Sequence, residues 1–337
     1  MRKRMITPAF YTLLPSQKQE TYQFVAHKMG LLPFTIEKDW WIVQVLRIVF
    51  SMEVGAHLLF KGGTSLSKAW GLIDRFSEDI DLVLNREFLG FPAGLVSKTQ
   101  VRKLRKASYT YFTESFVNDL RSAFAAAGLN DLEFEVESGD SDRDLVTIFI
   151  HYPYLMEYSE YMLPRIKVEI GSRSMTEPFT RRPVRSWVGE VFSEESFADK
   201  AFAIPCVNPE RTLLEKLFLL HEEFQRPKDK IRVARLSRHL YDIWRIGASE
   251  YLPKALERPL INDIIAHRER FNNIKGVDYR QLLPPGLNPL PPAHLLEDWQ
   301  KDYKTMRQNM IYGESPEFDD LLRMVEDLTR RYNDLTG

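Results

Sequence analysis

A chain of 337 residues is long enough for a substantial core and two domains, and 44% hydrophobic against 28% charged residues excludes a disordered protein. Basic and acidic side chains nearly cancel, 46 against 47, so bulk charge does not mark a nucleic-acid binder, although a local basic face stays open. One cysteine, Cys206, excludes an intrachain disulfide and a cysteine-cluster metal site; with no bilayer-length apolar run, and polar residues rather than a signal core after Met1-Arg2-Lys3-Arg4, the expectation is a cytoplasmic protein with no membrane span.

The first fifty residues read as helical. Ser16 is placed to cap a helix from Gln17 to Met29 that Gly30 ends, and Thr35 to cap a second with Asp39 in its opening turns. The second helix presents Trp40, Val43, Leu46 and Ile48 or Val49, which makes Trp40 and Trp41 core residues. There follow a strand from Leu58 to Lys61, a Gly62-Gly63 turn, and a short helix that Thr64 or Ser65 can cap, with Leu66, Ala69 and Trp70 as its apolar stripe. A second strand then runs from Ile80 to Leu84.

Extended backbone from Asp79 through that strand sends Asp79 and Asp81 to one face, and Ile80 and Leu82 to the other. Two carboxylates so close repel unless a cation or a proton sits between them, and magnesium favours carboxylate oxygens together with substrate phosphates. Free amides at the start of the short helix, after two glycines, make a phosphate seat. Ser65 offers it either a hydroxyl or an N–H; Lys61 reads as a strand end, Lys68 as a possible phosphate contact, and Arg75 and Ser77 as organisers of the turn before Asp79.

An amphipathic helix is expected from Ser97 to Ala127, closed by Gly128; its Arg102, Lys103, Arg105 and Lys106 form a solvated face or guide a phosphate-rich partner. Strands are expected from Leu132 to Ser138, where Glu133, Glu135 and Glu137 face solvent, from Asp144 to Tyr152, and from Arg165 to Ile170. In the last, Lys167 and Glu169 share a face; beside Asp79 and Asp81, Glu169 would complete a three-carboxylate magnesium cage. The run from Pro178 through Pro183 to Pro205 reads as an irregular crossing segment, and a domain boundary is placed there, giving domains 1–205 and 206–337. From Pro209 onward the pattern is helical, with a proline-rich break from Leu282 to Pro292 before a terminal helix pair. Lys216 sits among Leu213, Leu214, Leu217 and Leu220, and Asp242 has Arg238 at i−4 and Arg245 at i+3, a spacing that suits a surface ion network.

Lys61-Gly62-Gly63-Thr64-Ser65 followed by Asp79-Ile80-Asp81 closely resembles the first signature of the nucleotidyltransferase superfamily, and in detail its bacterial AbiEii/AbiGii-type toxin branch. Glu37-Lys38-Asp39, Arg165 to Ile170, Pro209 to Leu217, Arg238 to Ile243, Asp302 to Met306 and Ile311-Tyr312-Gly313 resemble further motifs of that branch, in order along most of the chain. The resemblance implies an α+β nucleotidyltransferase fold, a mixed β-sheet flanked by helices, with a mostly helical C-terminal domain completing the nucleotide and acceptor cleft. It implies magnesium, or manganese, on Asp79, Asp81 and Glu169, and a nucleoside triphosphate on Gly62, Gly63, Thr64, Ser65 and Lys216. Asp242 would be an active-site residue that holds Lys216 or the nucleotide, with His239 a neighbour rather than the base. The implied reaction moves a nucleoside monophosphate from the triphosphate to a hydroxyl, at the 3′ end of tRNA, releasing pyrophosphate; the implied partner is an antitoxin encoded nearby. Two other readings stand beside it: a nucleotidyltransferase acting on protein hydroxyls, and a catalytically silent interaction module. A P-loop enzyme is disfavoured because the glycine pair lacks the Gly-x-x-x-x-Gly-Lys-Ser/Thr layout.

Overall fold

The computed structural model describes residues 7–92, 94, 97–137, 145–158, 162–175, 177–272 and 274–335. The chain divides into two compact units, Met1–Ala69 with Phe76–Cys206 and Trp70–Arg75 with Val207–Gly337. The short piece Trp70–Arg75, between two elements of the first unit in sequence, is thus part of the second.

In the first unit, α1 (Pro15–Met29) and α2 (Pro33–Ser51) each begin with proline at the first helical position, where its missing N–H costs nothing. Ser16 and Thr35 therefore lie inside the helices instead of capping them; Leu14 and Leu32 stand at the caps. Gly30 ends α1 in the left-handed conformation. α2 is buried on nearly every side, Glu37, Lys38 and Asp39 included, the mark of a central helix rather than a surface one.

β1 (Leu58–Lys61), α3 (Gly62–Lys68) and β2 (Asp79–Leu84) form the next unit of chain. The helix expected from Ser97 is interrupted: α4 (Lys98–Thr110) opens on a Ser97/Gln100 capping box, passes through a π-helical turn at Tyr111–Phe116 and continues as α5 (Val117–Ala126). Phe112 and Phe116 are buried there, so the wide turn keeps both rings inside. Arg102, Lys103 and Lys106 are exposed. β3 (Glu133–Val136), β4 (Val146–His151) and β5 (Arg165–Gly171) follow, with Glu133 and Glu135 in solvent; Ser138 and Asp144 lie outside the described residues.

The segment expected to be irregular instead folds into β6 (Phe179–Val184), α6 (Trp187–Val191) and β7 (Phe202–Val207). β6 is an edge strand of the seven-stranded sheet, whose order is β3-β4-β5-β2-β1-β7-β6. An edge tolerates Pro183, which has no N–H to give a neighbour. β1 and β2 are antiparallel, β2 and β5 parallel, β1 and β7 parallel, and β3, β4 and β5 successively antiparallel. Phe60, Ile80, Leu82, Ile148, Ile150, Val168 and Ile170 form one buried face.

The second unit is helical: α7 (Pro209–Phe224), α8 (Ser237–Gly247), α9 (Leu252–Ala255), α10 (Arg258–Phe271), α11 (Leu296–Asn309) and α12 (Phe318–Asn333). α8 packs against α7, α11 and α12, burying Leu240, Ile243 and Ile246 with Leu217, Phe218, Leu321 and Val325.

Candidate active site

In the parallel pairing of β2 with β5, Asp79 stands opposite Lys167 and Asp81 opposite Glu169. Opposed residues, and residues two apart on one strand, share a face, so these four side chains mark the corners of one patch on the sheet. The register is held from behind by Ile80, Leu82, Val168 and Ile170, all buried. Lys61 stands across β1 from Asp81, with its Nζ donating to the Ser174 hydroxyl at 3.3 Å. Lys167 Nζ lies 2.6 Å from Glu169 Oε1, both side chains partly exposed. Burial would lower the Lys167 ammonium's pKa, but Glu169, with Asp79 and Asp81 adding their fields, outweighs it and holds the group above lysine's ordinary value.

Gly62 has φ 79°, and a Cβ added to it would land on the Asp81 carboxylate, 2.8 Å from its Cγ. The glycine is needed twice over, for a left-handed backbone and for close approach to an acid. α3 starts directly at this residue, after Lys61. Thr64 turns inward and gives its hydroxyl to the Asp79 carbonyl, tying the helix to the start of β2. Ser65 is also buried, with its hydroxyl against the Cys206 thiol, whose pKa burial pushes up to about 12 while that contact opposes. Neither hydroxyl faces solvent, which leaves the backbone N–H groups of this turn as its donors. Lys68 is likewise not a surface cation: its Nζ is 2.8 Å from Asp39 Oδ1, buried, and 4.6 Å from the Trp187 ring centre.

The partners of Glu37, Lys38 and Asp39 explain why a nearly enclosed helix carries three successive charges. Residues one apart on a helix point about 100° away from each other, so the three reach three segments. Glu37 accepts the N–H groups of Leu155 and Met156 at 2.8 and 3.2 Å. Lys38 Nζ is 2.6 Å from Glu78, the residue before Asp79, and donates to the Leu163 carbonyl at 2.8 Å. Asp39 takes the Lys68 ammonium and the Trp187 N–H. Burial pushes the Glu37 carboxyl up to about 7 against the opposing pull of its N–H donors.

In the second unit Asp242 is fully buried and clasped by Arg75, Nε to Oδ1 and Nη2 to Oδ2 both at 2.7 Å, and by Lys216 Nζ at 2.8 Å. Burial would raise its carboxyl, but Arg75 and Lys216 overcome that and hold it well below the usual carboxylate range. This differs from the surface network that the helical spacing suggests: Arg245 goes to Asp74 and to the Leu72 carbonyl. Burial, with Lys216 and Arg238 adding to it, depresses His239 well below its ordinary value, so its neutral Nδ1 can accept from Lys216 at 3.3 Å. The tail motif supports the cluster: Ile311 bridges Arg75, the Tyr312 N–H donates to the Asp74 carbonyl at 2.9 Å, and Asp302 accepts the N–H groups of Arg235 and Ser237 at the start of α8.

The model of the AbiEii family, nucleotidyl transferase toxins of a type IV toxin–antitoxin system, matches residues 47–324 of the 337. The chain belongs to the AbiEii nucleotidyltransferase toxin family. Among solved structures it is similar to MenT4, a nucleotidyltransferase toxin from Mycobacterium tuberculosis, with a TM-score of 0.52 and 18% identity over 96% of this chain and 91% of that one. At that identity the likeness shows the fold: a mixed α+β nucleotidyltransferase architecture. No curated protein matches. As a member of the AbiEii family the protein is a nucleotidyltransferase, with a nucleoside triphosphate as substrate and an antitoxin as its system's partner. The matched residues include Gly62, Asp79, Asp81, Glu169, Lys216 and Asp242, whereas Glu37-Lys38-Asp39 lies ahead of them.

Among the described residues no group of three or more His, Cys, Asp or Glu is gathered to hold a metal ion. The donor set of Asp79, Asp81 and Glu169 still fits a hard divalent cation: it offers carboxylate oxygens alone, two on one strand and the third in register beside them, with no Cβ crowding Asp81. Among the described residues no helix is long and apolar enough to cross a membrane. Sequence reasoning set Lys167 on the face of Glu169 without giving it a role, and it missed Arg75 as the partner of Asp242, 167 positions away.

Proposed function

We propose that this protein transfers a nucleoside monophosphate from a nucleoside triphosphate to a hydroxyl at the 3′ end of tRNA, releasing pyrophosphate, and that it requires magnesium or manganese. The new bond joins the acceptor oxygen to the α-phosphorus, the bond from that phosphorus to pyrophosphate breaks, and the proton of the acceptor hydroxyl passes to solvent water. Asp79, Asp81 and Glu169 would hold the divalent cation, which supplies charge neutralisation for the phosphate oxygens when bound. The backbone N–H groups from Gly62 to Ser65 orient the β- and γ-phosphates. Within the helical unit Asp242, itself fixed by Arg75, sets the direction of the Lys216 ammonium, the cation that the family resemblance assigns to offsetting phosphate charge. His239 accepts from that lysine and is not the base. Activity on tRNA places the enzyme in the cytoplasm, alongside an antitoxin encoded nearby.

The observation that carries this reading is the placement of Asp79, Asp81 and Glu169 on adjacent parallel strands beside Gly62. The test supplies each of the four nucleotides, labelled at the α-phosphate, with magnesium, total RNA and a protein fraction. RNA should take up label at its 3′ end with wild type, and Asp79→Ala and Asp81→Ala should lose at least about a hundredfold in rate, the scale of removing a metal-holding group. Label confined to protein would instead establish the protein-modifying alternative. No label with any nucleotide, under magnesium or manganese, would leave the silent interaction module.

A further inference from the structure

Of the four corners of the sheet patch, three are acids and the fourth is Lys167. Neighbouring strands stand about 4.8 Å apart, and residues two apart on a strand about 6.6 Å, so Lys167 is an immediate neighbour of Asp79 across the strands and of Glu169 along its own. On its other side β4 offers Phe149, not an acid, and the Arg165 guanidinium lies over that ring, 3.8 Å from its centre. Every carboxylate facing Lys167 from β2 and β5 therefore belongs to the proposed metal set. The side chain resolves this by closing on Glu169 at 2.6 Å.

We propose that Lys167 is a built-in competitor of the divalent cation: its ammonium holds Glu169, and the cation gains the third carboxylate only by displacing it. The inference rests on the metal reading above and adds a residue to it. With Lys167 charged, its ammonium offsets one of the three carboxylate charges at the corners; a neutral side chain there removes that offset and leaves Glu169 to the cation. Lys167 is thus a positioning residue. It lowers the affinity of the site for metal while keeping Glu169 ordered next to Asp81. The opposite role, in which Lys167 aims Glu169 at the metal and strengthens binding, makes the opposite prediction.

Titrating the full-length protein with Mn2+, by calorimetry or by the signal of the free ion in electron paramagnetic resonance, separates the two without any turnover. Lys167→Met should bind Mn2+ more tightly than wild type by roughly three- to tenfold, the scale of one partly exposed ion pair. Lys167→Arg should return the affinity toward wild type. Without metal, Lys167→Met should melt below wild type, and saturating Mn2+ should erase the difference. Lys167→Gln serves as the second neutral variant in case the first does not fold. Unchanged or weaker Mn2+ binding in the neutral variants, with wild-type binding that depends on Asp81, overturns the competitor role and leaves the metal reading standing. Wild type that binds no Mn2+ overturns both.

Discussion

At the scale of single residues, the site turns on groups whose neighbours leave them no freedom. Gly62 is the sharpest case, because its left-handed φ of 79° and its closeness to Asp81 forbid a side chain for separate reasons. In Gly62→Ala the backbone strain costs about 1–2 kcal/mol. The added methyl also meets the Asp81 carboxylate, which must rotate away. Displacing a reacting or metal-holding group by about 1 Å can cost on the order of a hundredfold in rate. We therefore expect Gly62→Ala to fold with a lower melting temperature and to lose about a hundredfold in nucleotide transfer. A variant that keeps wild-type kcat would show that the close approach of Gly62 to Asp81 has no part in the reaction. That Asp79 and Asp81 share one face of a strand was legible because strand periodicity is local, whereas Glu169 came forward as a third acid through the family resemblance. The bidentate grip of Arg75 on Asp242 could not, since nothing near either residue signals a partner 167 positions away.

At the scale of elements, α2 shows where local pattern stops being informative. Its apolar residues identify a helix and place Trp40 and Trp41 in the core, where both are buried. The burial of Glu37, Lys38 and Asp39 was not legible, because it depends on three segments that arrive from Leu155, Glu78 and Trp187. Similarly, Pro183 and Pro205 hid the two strands β6 and β7, of which β6, at the sheet edge, is where a proline is readily tolerated. Glu37 provides a pH-dependent test. Its carboxyl is raised from an ordinary 4.5 to about 7 in the fold, so the folded protein binds a proton that the unfolded chain releases. That contribution is fully present below about pH 4.5 and is lost as pH rises through about 7, a change of roughly 3 kcal/mol for a shift of this size. Denaturant titrations of wild type and Glu37→Gln from pH 5 to pH 8 should therefore show wild type losing stability relative to the variant as pH rises. A difference that stays level across this window would mean that Glu37 is charged in the fold throughout.

At the scale of the whole molecule, the sequence marks a break near residue 205, and the second compact unit takes up the chain again at Val207. What composition cannot reveal is that this unit also owns Trp70–Arg75, a piece contributed from well upstream. The piece is bound in at several points: Trp70 Nε1 donates to the Val207 carbonyl at 3.1 Å, Arg245 reaches the Leu72 carbonyl and Asp74, and Arg75 bridges Ile311. Most important, it supplies the guanidinium that satisfies Asp242 at the centre of the helices. A fragment beginning at Val207 keeps all its helices but leaves that buried carboxylate to Lys216 alone. Removing one partner from a buried ion pair costs about 3–5 kcal/mol, and a whole domain is stable by only about 5–15 kcal/mol. Expressed by itself, Val207–Gly337 should keep helical circular dichroism while losing a sharp thermal transition. In the full-length protein, Arg75→Met should reproduce part of that loss. A fragment that melts as cooperatively as the intact chain would show that Asp242 does not need Arg75, and that the sequence break is a true boundary of folding.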